Sequence, residues 1–232
     1  EADLRHAIER GELTLHYQPQ INSLSGAVVG AEALLRWEHP KHGMVPPFQF
    51  ISLAEEIGVI GELGDWVLAE ACRQLKEFDA LGLSLPRVAI NVSAFQFTST
   101  FVQRVSEVLA QYELPASRLE LGLSEAILTD QDRSTFQSLR DLEALGVYLS
   151  IDDFGTGNAS LSYFSRYSLN ELKIDRSFVQ ECDRNAKSAR LVVAIVAMAR
   201  SLQLGIVAEG VETESQYRFL VNNGAEVGTG NW

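Results

Sequence analysis

The sequence predicts a single closed α/β barrel, and three observations carry that expectation. Short apolar runs alternate with segments of helical periodicity from Arg87 onward, the pattern of a largely parallel sheet. Seven or eight such strands in 232 residues sit close to the ~250 residues of a closed barrel, rather than an open sheet. Acidic and amide side chains recur where those strands end, as they do at a barrel mouth.

The elements follow in order. Glu1 to Gly11 reads as a short helix closed by glycine, and Leu13-Thr14-Leu15-His16-Tyr17-Gln18-Pro19 alternates as a strand does. Asn22 to Gly26 makes a turn and Ala27 to Trp37 returns, so a hairpin opens the chain. The returning strand carries Glu32 among apolar neighbours. A lone charge is costly to bury, so Glu32 either escapes to a strand end or has a cationic partner. His39 to Pro47 is a Pro-, Gly- and His-rich loop long enough to overhang a site. Within it His39 and His42 read as a solvated pair, because nothing nearby completes a metal set. Phe48 to Gly58 and Gly61 to Leu81 place apolar residues at helical spacing.

The regular alternation begins with Val88 to Ser93, a strand interrupted by the amide of Asn91. A helix from Phe101 to Tyr112 and a strand from Arg118 to Leu123 come next, and Thr129-Asp130 can cap a helix reaching Leu145-Gly146. Val147 to Ile151 is the central buried strand, running into Asp152-Asp153 and the glycine-flanked turn Phe154-Gly155-Thr156-Gly157. Ala159 to Arg166 makes a short helix, Glu171 to Asp175 a strand, and Asn185 to Gln203 a long helix with Gly205 beyond its end. Ile206 to Gly210 is a strand, Glu214 to Asn223 a helix, and Glu226 onward the start of a last strand.

Composition narrows the function. Hydrophobic residues at 46% and charged residues at 22% are ordinary globular values and supply a sizeable core. The net charge of −12 argues against nucleic-acid polymers and anionic membranes as partners, and leaves room for a small anionic ligand held through metal. Cys72 and Cys182 lie far apart with no partner motif, as buried free thiols in a reducing compartment would. No window approaches the ~18 continuous apolar residues of a membrane helix, and Glu1 begins no basic-then-apolar leader. The expectation is one cytoplasmic domain over residues 1–232, cut from a longer protein that is itself free to be membrane-anchored.

Glu32, Asn91, Asp152, Asp175 and Glu209 each fall at or near the C-terminal end of a predicted strand. Oxygen donors without cysteine or a well-placed histidine point to Mg²⁺, Mn²⁺ or Ca²⁺ rather than zinc. The Asp152-Asp153 pair has two readings. Both carboxylates stay ionised on a divalent cation, the strand end turning them into one space, or they form a solvated helix-capping turn. Lys173, two residues before Asp175 on one strand face, either orients a metal-bound water or neutralises the acids as a salt bridge.

Taken together these residues resemble the EAL domain, the phosphodiesterase domain of bacterial cyclic di-GMP signalling. The resemblance runs through Tyr17-Gln18-Pro19, Glu32-Ala33-Leu34-Leu35-Arg36-Trp37, Asn91-Val92-Ser93, Asp152 to Gly157, Leu172-Lys173-Ile174-Asp175 and Ala208-Glu209-Gly210-Val211-Glu212-Thr213. It implies a TIM-like (β/α)8 barrel with the first strand antiparallel. Active members use two divalent cations to cut cyclic di-GMP to linear pGpG. By resemblance Glu32, Asn91 and Asp152 bind the first metal, and Asp153, Asp175 and Glu209 surround the second. Lys173 assists the water, with Glu32 and Asp152 in the catalytic set. Gln18, Leu35, Arg36 and Glu212 hold the dinucleotide, and Glu125 braces the loop beside the metals. Mg²⁺ or Mn²⁺ is the implied cofactor, with Ca²⁺ inhibitory. The implied partners are cyclic di-GMP, a second copy in a homodimer, and a fused sensory or GGDEF-type domain.

Two departures stand out. Where the family has Glu-Ile-Thr-Glu-Ser after Leu-Glu-Leu, this chain has Gly122-Leu123-Ser124-Glu125-Ala126, so Gly122 replaces a metal-binding carboxylate. Thr229-Gly230-Asn231 stands where the family has Gln-Gly-Tyr or Gln-Gly-Phe. Asn158 and Ala159 are smaller changes in the same sense, and the chain stops inside the family's last motif. Glu120 is a poor substitute for the lost ligand, two residues and about 6.6 Å further down the strand. Weakened metal binding, or none in a fully degenerate site, is the expectation. Three functions follow: a cyclic di-GMP receptor or regulatory module with little turnover, a working phosphodiesterase, or a protein-interaction domain that binds no nucleotide.

Overall fold

The expected opening hairpin forms, and it sets the hand of the whole sheet. In the computed structural model, which describes residues 2–98, 100–129, 133–155, 164 and 166–230, helix α1 (Ala2–Ala7) leads into β1 (Leu13–Asn22) and β2 (Val28–His39). A short β3 (Gly43–Val45), α2 (Pro47–Glu56) and α3 (Ile60–Ala80) follow. The alternating region supplies β4 (Val88–Val92), α4 (Phe101–Gln111), β5 (Leu119–Leu123), α5 (Glu125–Thr129), α6 (Arg133–Leu145) and β6 (Tyr148–Phe154). Then come β7 (Glu171–Ile174), α7 (Arg176–Val179), α8 (Ala186–Ser201), β8 (Gly205–Val211), α9 (Glu214–Asn223) and β9 (Val227–Gly230).

The strands run in the order β1-β9-β8-β7-β6-β5-β4-β2, and pairing of β1 with β2 closes the barrel. β1 is antiparallel to both of its neighbours, whereas β2 and β4 to β9 are mutually parallel. The barrel is therefore a TIM-like (β/α)8 fold with its first strand reversed.

Alternation along each strand divides two environments. On β5, Leu119, Leu121 and Leu123 join the core under the helices, where Phe101, Val105, Val108 and Leu109 of α4 present one apolar stripe. The intervening Glu120 points into the barrel, whose interior is unusually polar: Gln20, Glu32, Glu120, Ser150, Glu171, Lys173 and Thr229 are all buried. Helix α9 begins and ends where its sequence dictates. Thr213 and Gln216 form a reciprocal capping box, and Gly224 takes φ 96° to close it.

Two expectations are corrected. The stretch from His39 to Pro47 is no overhanging loop, because Gly43–Val45 folds back antiparallel on Trp37 to His39 as β3. His39 is not solvated: it is 6% exposed, 3.3 Å from Asp3, edge-on to the Trp37 ring and tilted against that of His42. Thr129 ends α5, its hydroxyl donating to Ala126 O, and Asp130, the other half of the expected cap, lies outside the described residues. The helix expected over 159–166 falls mostly outside the described residues. Cys72 and Cys182 are buried and unbridged, and among the described residues no helix is long and apolar enough to cross a membrane.

Candidate cation and ligand site

The acids expected at strand ends converge because two strands are bent at them. The β6–β7 register shifts between Ile151 and Phe154, and Asp153 in that gap takes φ 51°. Asp is among the few side chains that tolerate this left-handed conformation. The irregularity turns Asp152 and Asp153 towards one space, although the strand continues through both to Phe154. A matching irregularity separates Ala208 from Val211 on β8, with Gly210 at φ 69° beside Glu209. Only glycine fits there, since a Cβ on Gly210 would stand 2.7 Å from Arg176 Cβ. Asp152, Asp153 and Glu209 each offer a carboxylate oxygen within 4.8 Å of the others.

Lys173 lies beneath this cluster, completely buried on β7. Its Nζ is 3.4 Å from Asp152 Oδ1, and 3.6 Å from both Glu32 Oε1 and Glu209 Oε1. Burial alone would push the ammonium down, but Asp152, Glu32, Glu209 and Glu120 together hold it well above the ordinary lysine range. Glu32 thus has the cationic partner its position demanded. Its Oε1 also accepts a 2.8 Å hydrogen bond from Asn91 Nδ2. One lysine does not neutralise the group. Burial, together with Asp152, Glu32 and Asp153, raises Glu209 to about 8 in spite of Lys173. Burial, Asp152 and Asp175 raise Asp153 to about 6. Carboxylates that are costly to ionise side by side are the setting that a hard divalent cation relieves.

On the Glu32–Asn91 side, glycine takes the neighbouring strand position. Gly122 faces Asn91 across β4 and β5, and a Cβ on Gly122 would stand 2.6 Å from Asn91 Oδ1. The amide of Asn91 therefore occupies the start of the path a longer side chain would take. Glu120 does not fill in: its two oxygens accept 2.8 Å hydrogen bonds from Ser150 Oγ and Arg87 Nε at the other end of the barrel. Arg87 is 3.7 Å from Glu171 and lies over the Tyr148 ring, so this end is tied into its own network. Oxygen donors of Asp152, Asp153 and Glu209 thus converge on one space, and Gly122 adds no side-chain donor beside Glu32 and Asn91.

The remaining residues singled out in the sequence separate into two groups. Asp175 caps α7, accepting from Ser177 N at 2.9 Å, and lies close enough to Asp153 to raise its pKa. Glu125 Oε1 accepts a 2.9 Å hydrogen bond from the backbone N–H of Gly155, which ties α5 to the end of β6. A cleft of about 420 Å³ takes in Leu35, Arg36, Asn91, Gly122, Asp152 and Asp153, and runs to the facing sides of α2 and α3. Arg36 rests with Nη1 on Leu35 O at 2.9 Å. Gln18, opposite Glu32 in the β1–β2 register, and Glu212, 3.4 Å from Gln180, do not line that cleft. Thr229 is buried on β9. Asn158 and Ala159 lie outside the described residues. Sequence reasoning missed Glu55 and Gln96 in the cleft wall. Gly64, placed inside α3 where glycine is unfavourable, is the signal that could have found them.

The Glu125 contact gives a first expected result. Glu125→Ala should speed amide exchange at Gly155 by about 5-fold, the worth of one hydrogen bond near 1 kcal/mol. An unchanged rate by NMR or mass spectrometry would contradict the brace.

An eight-stranded barrel with carboxylates and a buried lysine at its strand ends defines a class that handles small charged ligands at the barrel mouth. The chain belongs to the EAL domain family, whose model matches residues 1–232. It is 47% identical over 223 residues, 96% of this chain, to the bifunctional diguanylate cyclase/cyclic di-GMP phosphodiesterase MucR of Pseudomonas aeruginosa. It is 42% identical over 220 residues, 94% of this chain, to the oxygen sensor protein DosP of Escherichia coli. The chain spans 33% and 28% of the lengths of these two relatives. Among solved structures, the PaMucR phosphodiesterase in complex with c-di-GMP superposes with a TM-score of 0.94 at 46% identity, covering 99% of this chain and 93% of that one.

Proposed function

We propose that this domain binds cyclic di-GMP and acts mainly as a receptor, with hydrolysis impaired by an incomplete metal site. The observation that carries the reading is Gly122, with the Asn91 carboxamide turned into the space beside it. Glycine contributes neither an oxygen nor a negative charge, and Glu120 is held elsewhere by Arg87 and Ser150. Asp152, Asp153 and Glu209 would hold one Mg²⁺ or Mn²⁺, with Asp175 alongside and Glu32 and Asn91 left as a partial second set. A bound divalent cation supplies charge neutralisation on a phosphate and a lowered pKa for water.

The chain's own groups then divide the work. Arg36, at the cleft wall, is the cation available for a phosphate oxygen, through charge-assisted hydrogen bonds. Lys173 is ringed by Glu32, Asp152 and Glu209 at ion-pair distance, so its role is to neutralise and position those acids. Glu125 fixes the backbone that follows Asp153. Gln18 and Glu212 would reach the ligand only from outside the described cleft.

An active phosphodiesterase is the second reading, and one observation favours it. The Asp152–Asp153–Glu209 cluster is intact, and its raised acids leave it short of positive charge. Support for the ligand itself comes from the similarity to the PaMucR complex with c-di-GMP. Partners beyond the ligand, whether a homodimer copy or fused sensory and GGDEF-type domains, and a cytoplasmic location belong to the same proposal.

Arg36→Ala tests the ligand under both readings. Loss of a charge-assisted contact should weaken cyclic di-GMP binding by about 10- to 100-fold. Unchanged affinity by calorimetry would remove Arg36 from the phosphate contact and undercut the reading.

A further inference from the structure

The barrel interior holds a second set of charges at the end opposite the mouth, which neither the cation cluster nor the phosphate contact uses. Glu120 of β5 and Glu171 of β7 are both buried there, and one guanidinium, that of Arg87, serves the two. The sharing is unequal. Glu120 is well satisfied, with Arg87 Nε donating to one oxygen and Ser150 Oγ to the other, each at 2.8 Å. Glu171 Oε2 has Arg87 Nη2 at 3.7 Å, beyond hydrogen-bonding reach, and a long 3.4 Å contact from the Tyr148 hydroxyl. Its Oε1 is buried with no partner among the described residues. Arg87 is also held in place by stacking, 3.6 Å over the Tyr148 ring. Gly205, the residue paired with Glu171 on β8, brings no polar group to it.

We propose that Glu171 is a proton-holding switch at the base of the barrel, protonated in acidic solution and ionised in alkaline solution, where it competes with Glu120 for Arg87 and loosens the barrel. The device is independent of the ligand and of the cations at the mouth. A buried carboxylate is costly to ionise without close donors, and Glu171 has none. The charged and titratable groups that face it are Glu120 of β5, Tyr148 of β6, Arg87 ahead of β4, and Lys173 two residues along its own strand. Burial and the Glu120 charge outweigh Arg87, Lys173 and Tyr148, and lift Glu171 from 4.5 to about 7. Unfolded, the same side chain keeps the lower value. Between 4.5 and about 7 the folded chain therefore retains a proton that the unfolded chain has lost. The stability this proton contributes is complete below that window, falls across it and is absent above it.

The test compares melting of the wild type with that of Glu171→Gln, nearly isosteric and neutral throughout, at about pH 5 and about pH 8. The melting temperature of the variant relative to the wild type should be higher at the alkaline pH by about 5 °C or more. Glu209 and Asp153 titrate in both proteins and cancel in that difference. A difference that does not change with pH would overturn the switch. The wild type alone gives a second reading, by NMR titration of the Glu171 side-chain carboxyl carbon. Its midpoint should lie near neutrality. Tyr148→Phe removes the hydroxyl that donates to the carboxylate and keeps the ring under Arg87, so it should move the midpoint to higher pH. A wild-type midpoint in the ordinary glutamate range would overturn the proposal whatever the melting curves show.

Discussion

Gly122→Glu combined with Thr229→Gln should raise Mg²⁺- or Mn²⁺-dependent hydrolysis of cyclic di-GMP roughly 100-fold, the scale on which groups in and around a metal site tune it. A glutamate at 122 would project from β5 beside Asn91 and Glu32, where the receptor reading places the missing donor. Its Cβ would stand 2.6 Å from Asn91 Oδ1, so the amide must rotate, and it is the far end of a flexible side chain. The same substitution should raise the number of Mn²⁺ ions bound per chain from one to two, read by calorimetry. Thr229→Gln extends a buried β9 side chain and restores an amide to the mouth. No gain in either rate or stoichiometry would show that the defect lies elsewhere than at 122 and 229.

Lys173→Met carries the largest expected effect on stability. The ammonium is fully buried and faces three carboxylates from three strands, Glu32 of β2, Asp152 of β6 and Glu209 of β8. Removing it leaves those charges without their shared cation, a loss of about 3–5 kcal/mol for a broken buried pair. Melting should fall by about 10 °C or more in a chain of this length. Mn²⁺ should recover part of the loss in the variant and stabilise it more than it stabilises the wild type, because the cation then replaces the missing charge. A variant melting within about 2 °C of the wild type would mean that Lys173 does not hold the acids together.

Much of this was legible in the chain, for identifiable reasons. Period and punctuation located the barrel strands and the longer helices but not the short α5 and α7: α9 was placed to the residue, because Thr213, Gln216 and Gly224 mark its two ends. Position at strand ends picked out Glu32, Asn91, Asp152 and Glu209, and Asp152 and Glu209 do meet, around Lys173. What bends the strands was hidden. The conformation of Asp153 and the close approach of Gly210 to Arg176 are tertiary outcomes, and no local pattern announces them. β3 was missed since three residues, Gly43–Val45, are too few to establish an alternation. His39 looked solvated because burial beside Asp3 and Trp37 depends on α1 packing against the end of β2. The cleft wall escaped notice because Glu55 and Gln96 lie 41 residues apart on segments whose local patterns mark them only as scaffold.

The central claim is tested most directly by titrating cyclic di-GMP into the purified domain calorimetrically, first with Mg²⁺ and then with EDTA, and assaying the same samples for pGpG. Binding in both conditions with little or no pGpG is the predicted result, the signature of a receptor whose metal site lacks the ligand that Gly122 replaces. Rapid appearance of pGpG in the Mg²⁺ sample alone would contradict it, and would make the Asp152–Asp153–Glu209 cluster sufficient for turnover.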